Sequence, residues 1–370
     1  YTYVYTVFGE LIAWILGWAL ISEYLFAVAS VAVSWSAYFQ NLIAGFGLHL
    51  PTFLSTAWTP GHPGGINLIA GLITLLIGFL LSNGLRESTR INTIMVGVKV
   101  AVIVIFLGVA IFYVKPANFK PFLPFGAGGI LSGAALAFYA YIGFDAVSTA
   151  SEEVVNPQRD MPIGIIASLL IASLLYAAVA PVLVGVVHYT KLNVGDPVAF
   201  ALQLMHQNWV AGIVALGAVA GMTTVLLVMT YGGTRLIFAI SRDGLLPPVF
   251  AKVSSKTHVP VANTWIFAIV TSIVAMVVPL DKIAELVNIG TLFAFATVSL
   301  GVIFLRKLPF YNELPQGFKV PLFPWIPLLS CGLCLLLMTQ LQLTTWIVFL
   351  IWLVIGLTIY FSYGYRHSRQ

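Results

Sequence analysis

The sequence predicts an all-α integral membrane protein, and three observations carry that prediction. Hydrophobic residues make up 60% of the 370 and charged residues 8%, where soluble globular chains carry roughly 25% charge. Ten apolar segments are long enough to span a bilayer, and none shows the two-residue alternation of a barrel strand. Lysine and arginine fall unevenly between the connecting loops. Twenty-nine charged side chains cannot coat a soluble fold of this size. Cytosolic enzymes, disordered scaffolds and disulfide-rich secreted modules are excluded, and residues 1–370 read as one membrane domain.

The segments run at 8–43, 66–81, 91–114, 129–150, 162–187, 209–239, 260–280, 285–305, 322–341 and 344–364. The first, as a continuous helix, is about 54 Å long at 1.5 Å per residue, so it must tilt or end in the interface. Ahead of it the chain opens on Tyr-Thr-Tyr with no cleavable signal peptide, which reads as an amino-terminal truncation. Twelve basic residues lie on one side: Arg86, Arg90, Arg159, Arg235, Arg242, Lys252, Lys256, Arg306, Lys307, Lys319, Arg366 and Arg369. Lys115, Lys120, Lys191 and Lys282 lie on the other. The basic side, with both termini, is therefore expected in the cytoplasm. The net charge of +5 is spread through loops rather than gathered in a stripe, so no nucleic-acid partner is expected. Cys331 and Cys334 form a lone C-x-x-C in an apolar segment and read as buried packing. The six histidines show no metal-ligand spacing.

Two ionisable residues fall inside the spans. Lys99 lies some 12 Å from the basic end of the third segment, deeper than a lysine stem comfortably snorkels. Either it faces a cavity or titrates, or it makes a structural ion pair or bonds backbone carbonyls. Glu23 lies midway along the first segment, as a protonated carboxyl bonded across helices or as a group that meets a substrate ammonium or carries a proton. Glu10, near the basic end, reads as structural. The fourth segment is interrupted at Ile142-Gly143-Phe144, where glycine weakens the helix and Asp145 can cap a new one. Such a break exposes carbonyls and amides that can bind a zwitterion or cation, or it is a simple kink. Asn92, Thr223, Thr224, Thr230, Asn288 and Thr291 read as interhelical hydrogen-bond formers. Glu152, Glu153, Arg159 and Asp160 read as a solvated loop, with an inner gate as the alternative. A transferase using Glu152 and Glu153 is a remote reading, because no nucleophile–base set accompanies them. A channel lacks its ring of charges.

FYAYIGFDAVSTASEEVVNPQRDMPIGI together with TRLIFAISRDGLLPPVFAKV closely resembles the amino acid–polyamine–organocation superfamily, and bacterial cationic amino acid transporter-type permeases within it. The resemblance implies a leucine-transporter-type bundle of two inverted repeats, with about ten transmembrane helices present of an expected twelve. Residues 8–128 would be a partial first repeat, 129–308 the second, and 309–370 two additional helices; the missing pair would precede Tyr1. It also implies a proton-coupled amino acid symporter of the plasma (inner) membrane working by alternating access, with no cofactor beyond the coupling protons. Sodium-coupled or exchange-only transport is the alternative. By resemblance the stretch Tyr139, Ala140, Ile142, Gly143 and Phe144 takes the substrate amino group, Glu23 lies near it, and Met229 faces the substrate side chain. Lys99 matches a lysine whose ammonium stands where sodium-coupled relatives hold sodium. The thioether of Met229 points to neutral rather than cationic substrates. Besides the amino acid and the lipid bilayer, a small single-helix membrane partner is left open.

Overall fold

The protein, seen in a computed structural model, is described at residues 2–60, 64–84, 89–144, 154–308 and 318–368. Eleven helices organise it, named here in chain order. They are α1 (Glu10–Ala44), α2 (Leu68–Ser82), α3 (Thr89–Ala110), α4 (Gly126–Ala137), α5 (Pro157–Val186) and α6 (Pro197–Leu204). There follow α7 (Asn208–Arg242), α8 (Val261–Val277), α9 (Leu280–Leu305), α10 (Trp325–Met338) and α11 (Leu343–Ile359). The only pairing outside helices among the described residues is an isolated bridge, Ala57 to Gly65. Six helices are long and apolar enough to cross a membrane, while α2, α8 and α10 are shorter apolar helices.

Ladder hydrogen bonds close inside each helix, so apolar segments can be buried in lipid without orphaned backbone groups. The first segment begins at Glu10 because Gly9, at φ 81°, separates it from a short preceding helix, Thr2–Phe8. Proline at its first position starts α5 at Pro157, earlier than the apolar run suggests. Arg159 and Asp160 therefore lie in its first turn and not in a loop. The loop from Val187 to Gln207 carries α6, eight residues that hydropathy alone does not separate from a loop.

The long helices α1, α7 and α9 form the centre. Trp14, Val28, Leu226, Ile240, Ile283 and Val287 belong to one buried cluster that runs through all three. On the far side of α1, tryptophans weld α11 in place. Trp14 Nε1 donates to the Gly356 carbonyl at 3.0 Å, Trp18 Nε1 to the Trp352 carbonyl at 2.7 Å, and Trp352 Nε1 back to the Trp18 carbonyl at 3.0 Å. Trp18 and Trp352 stack with centroids 4.6 Å apart. At one end Glu10 accepts from Tyr360 (2.8 Å) and from Ser368 (2.6 Å), so the first and last helical regions meet. Cys331 and Cys334 are free and buried, packed with Ala19, Ile289 and Leu292.

Candidate functional site

The interruption in the fourth segment organises the site. Helix α4 ends at Ala137, a 3-10 turn follows over Phe138–Tyr141, Ile142 is extended with ψ 139°, and Gly143 has φ 107°. That last angle lies in the left-handed half of backbone space, which glycine alone enters without strain. The helix thus unwinds several residues before the glycine that betrays it in the sequence. Asp145, read as the cap of the second half, lies outside the described residues, as do Glu152 and Glu153.

Four helices hold the unwound stretch. From α1, Ser30 Oγ is 2.5 Å from the Tyr139 hydroxyl. Ser30 already donates its one proton to the Ala27 carbonyl at 2.8 Å, so Tyr139 is the donor between them. From α5, the Tyr176 hydroxyl donates to the Ala140 carbonyl at 2.5 Å, while its ring meets Tyr141 edge-on at 5.2 Å. From α7, Met229 lies against Gly143: a Cβ built on that glycine would sit 3.1 Å from the thioether methyl. From α9, Asn288 donates to the Ala135 carbonyl at 2.8 Å, and Phe295 packs on Phe138 and Phe144. Asn288 satisfies an orphan acceptor where the α4 ladder fails, the role a C-terminal cap plays in a soluble helix.

The residues singled out in sequence fall into two groups. Tyr139, Ala140, Ile142, Gly143, Phe144 and Met229 come together at the break. Glu23 is buried in α1, 3% exposed, seven residues from Ser30 on the same helical face and about 10 Å away along the axis. Lys99 stands apart from the break. It lines a cavity of about 290 Å³ with Tyr38, Val102, Phe106, Val198 and Met222 among its walls. Its stem crosses α7 at Gly221, where an added Cβ would lie 2.8 Å from Lys99 Cγ and Cε. Val102, one turn on, lies against Gly217 in the same way. The sequence G-A-V-A-G at 217–221 is thus a small-xxx-small contact between α3 and α7, a signal that sequence reading could have used.

Among the polar residues read as interhelical bond formers, Asn288 bonds across helices, and Thr223 receives the Trp35 indole N–H at 2.9 Å. Thr224 and Thr291 instead bond carbonyls of their own helices. Thr230, beside Met229, is buried with its hydroxyl unbonded. The tyrosine and serine partners of the break escaped sequence reading, since a hydroxyl inside an apolar helix has no periodicity to mark it. Among the described residues no group of His, Cys, Asp and Glu could hold a metal.

Beyond the cavity, the loop helix α6 closes on the end of α1. Asn41 Nδ2 donates to Asp196 Oδ2 at 2.8 Å, and Gln203 Nε2 donates to Asn41 Oδ1 at 3.0 Å. Burial pushes the Asp196 carboxyl above the ordinary value of 3.8, and the bond from Asn41 partly offsets this. Val198 on α6 also lines the Lys99 cavity.

Comparison with known proteins agrees on a family of membrane permeases. Residues 1–365 match the family described as "Amino acid permease". The chain is 49% identical over 370 residues to the methylthioribose transporter of Bacillus subtilis, covering all of this chain and 79% of that protein. It is also 49% identical over 374 residues to the branched-chain amino acid permease BcaP of the same organism, covering 100% and 80%. Against human cationic amino acid transporter 4 the identity is 28% over 495 residues, covering 100% and 77%.

Proposed function

Because this chain belongs to the amino acid permease family, we propose that it moves a neutral amino acid in symport with protons, by alternating access. It is a multi-pass membrane transporter and not an enzyme. The observation that carries the substrate reading is the interrupted helix at 138–144, whose carbonyls leave the α-helical ladder and whose residues meet four other helices, the Ala140 carbonyl through Tyr176. A substrate ammonium takes those carbonyls, and Glu23 supplies negative charge further along α1. Met229, apolar and flexible, receives a neutral side chain. Branched-chain substrates fit that surface, and the BcaP permease is one of the similar proteins.

Coupling is assigned to Lys99. The α7 helix touches both centres: Gly221 meets Lys99 and Met229 meets Gly143, eight residues or about 12 Å apart. A change of charge on Lys99 shifts α3 against α7 and so shifts Met229 against the broken helix. The basic-rich end, where Glu10 meets Tyr360 and Ser368, faces the cytoplasm of the cell whose plasma membrane holds it. Purified protein in liposomes is expected to accumulate L-leucine down an inward proton gradient, and Lys99→Met to abolish accumulation while keeping leucine binding within about threefold. Accumulation undiminished in Lys99→Met removes the coupling role, and uptake that follows sodium at fixed pH favours the sodium-coupled alternative.

A second reading rests on the 49% identity with the methylthioribose transporter. That substrate has no ammonium. Saturable uptake of methylthioribose by protein that binds neither L-leucine nor L-valine would favour it.

A further inference from the structure

We propose that Tyr176 is a positioning residue of the substrate site: its hydroxyl holds the Ala140 carbonyl until a substrate ammonium takes that oxygen over. The proposal rests on the transport reading above, in which the unwound carbonyls receive the ammonium.

Ala140 sits in the last turn before the chain leaves the helix. The Ile142 amide reaches back to the Tyr139 carbonyl at 3.3 Å, and beyond it Ile142 is extended and Gly143 has positive φ. Among the described residues no backbone amide takes the Ala140 oxygen, and a carbonyl left bare in an apolar setting is costly. Tyr176 meets that need from α5, thirty-six residues on, at 2.5 Å. The edge-on contact with Tyr141 fixes the ring, so the hydroxyl is aimed rather than free to wander. Tyr176 is 39% exposed, so releasing its hydroxyl requires no repacking of a core.

A carbonyl oxygen has two lone pairs, and a phenol and an ammonium that approach along the same one are alternative donors. The ammonium is the stronger, since hydrogen bonds with an ionised partner are roughly twice as strong as neutral ones. Arrival of the substrate breaks the tie between α5 and the unwound stretch, which lets α5 part from the break only when the site is loaded. Tyr139 does not duplicate this role, because its hydroxyl is engaged by Ser30 rather than by a carbonyl.

In the unmodified chain, saturable binding of L-leucine is measured by calorimetry, and its absence overturns the amino acid reading itself and this inference with it. Given binding, Tyr176→Phe removes the competing donor. A net hydrogen bond of about 0.5–1.5 kcal/mol converts to leucine binding about two- to thirteenfold tighter, with the ligand-free protein melting lower. Unchanged or weaker affinity overturns the proposal, because a merely structural tyrosine lowers the melting temperature alone. Should Tyr176→Phe fail to fold, Tyr176→3-fluorotyrosine keeps the phenol and reports on it by fluorine NMR. Its resonance is expected to shift on saturation with L-leucine and to stay in place with 4-methylpentanoate, the same skeleton without the ammonium. A shift with both, or with neither, overturns the proposal.

Discussion

Lys99 keeps its place because α7 presents a glycine to it. Its methylenes fill the space a side chain at Gly221 would need, and the residue lines a cavity. Gly221→Ala therefore acts on the lysine without touching its chemistry. The new methyl has nowhere to go unless the Lys99 stem moves, and overpacking of this kind costs about 1–3 kcal/mol. We expect proton-driven leucine uptake to fall about tenfold, and leucine affinity without a gradient to change by less than about twofold. Uptake across a pH series and a melting curve check both. Lys99 and Gly143 were legible in the sequence because an ammonium and a helix breaker violate what lipid allows. Ser30 and Tyr176 were not, because a serine or tyrosine in an apolar helix breaks no rule until its partner is known; Asn288 was read as an interhelical bond former, without its place at the end of α4.

At the scale of the element, ten apolar runs gave the helices but not their ends. Proline at the start of α5 extended it past its apolar stretch, and the unwinding after Ala137 shortened α4, both local backbone effects that hydropathy does not register. Pairing of elements was less legible still, since every helix is apolar on several sides. The α1–α11 contact depends on a feature hidden in plain composition: Gly356 leaves room for the Trp18 ring, which an added Cβ would strike. Three indole bonds follow from that approach, each ending on a backbone carbonyl. Gly356→Ala should separate the helices and forfeit part of this set, at about 2–3 kcal/mol. A lower melting temperature together with a red shift in tryptophan emission is the expected signature. Leucine affinity of the surviving folded protein should hold, because the break contacts α1 through Ser30, on the opposite half of the helix from Trp14 and Trp18.

For the whole molecule, one network ties its far end together: α1 through Asn41, the loop helix α6 through Gln203, and Asp196 between them. Since Val198 of α6 also lines the Lys99 cavity, the stability of this closure bears on access to Lys99. Here pH enters with a definite sign. The Asp196 carboxyl is raised above 3.8 in the folded protein, chiefly by burial. A raised acid binds its proton more tightly folded than unfolded, so folding gains from it below about pH 3.8 and loses that gain as pH rises through the raised value. Charge on Asp196 is thus a small burden at neutral pH that Asn41 only partly offsets. Asp196→Asn carries no charge, and its amide oxygen still accepts from Asn41. Above pH 6 the variant should melt at the same or a higher temperature than the unmodified protein. It should also lack the decline in melting temperature that the unmodified protein is expected to show as pH rises from about 4, as linkage to a single raised acid requires. Scans of detergent-solubilised protein from pH 4 to 8 test it directly, and two superimposable curves would mean the closure does not feel the proton on Asp196.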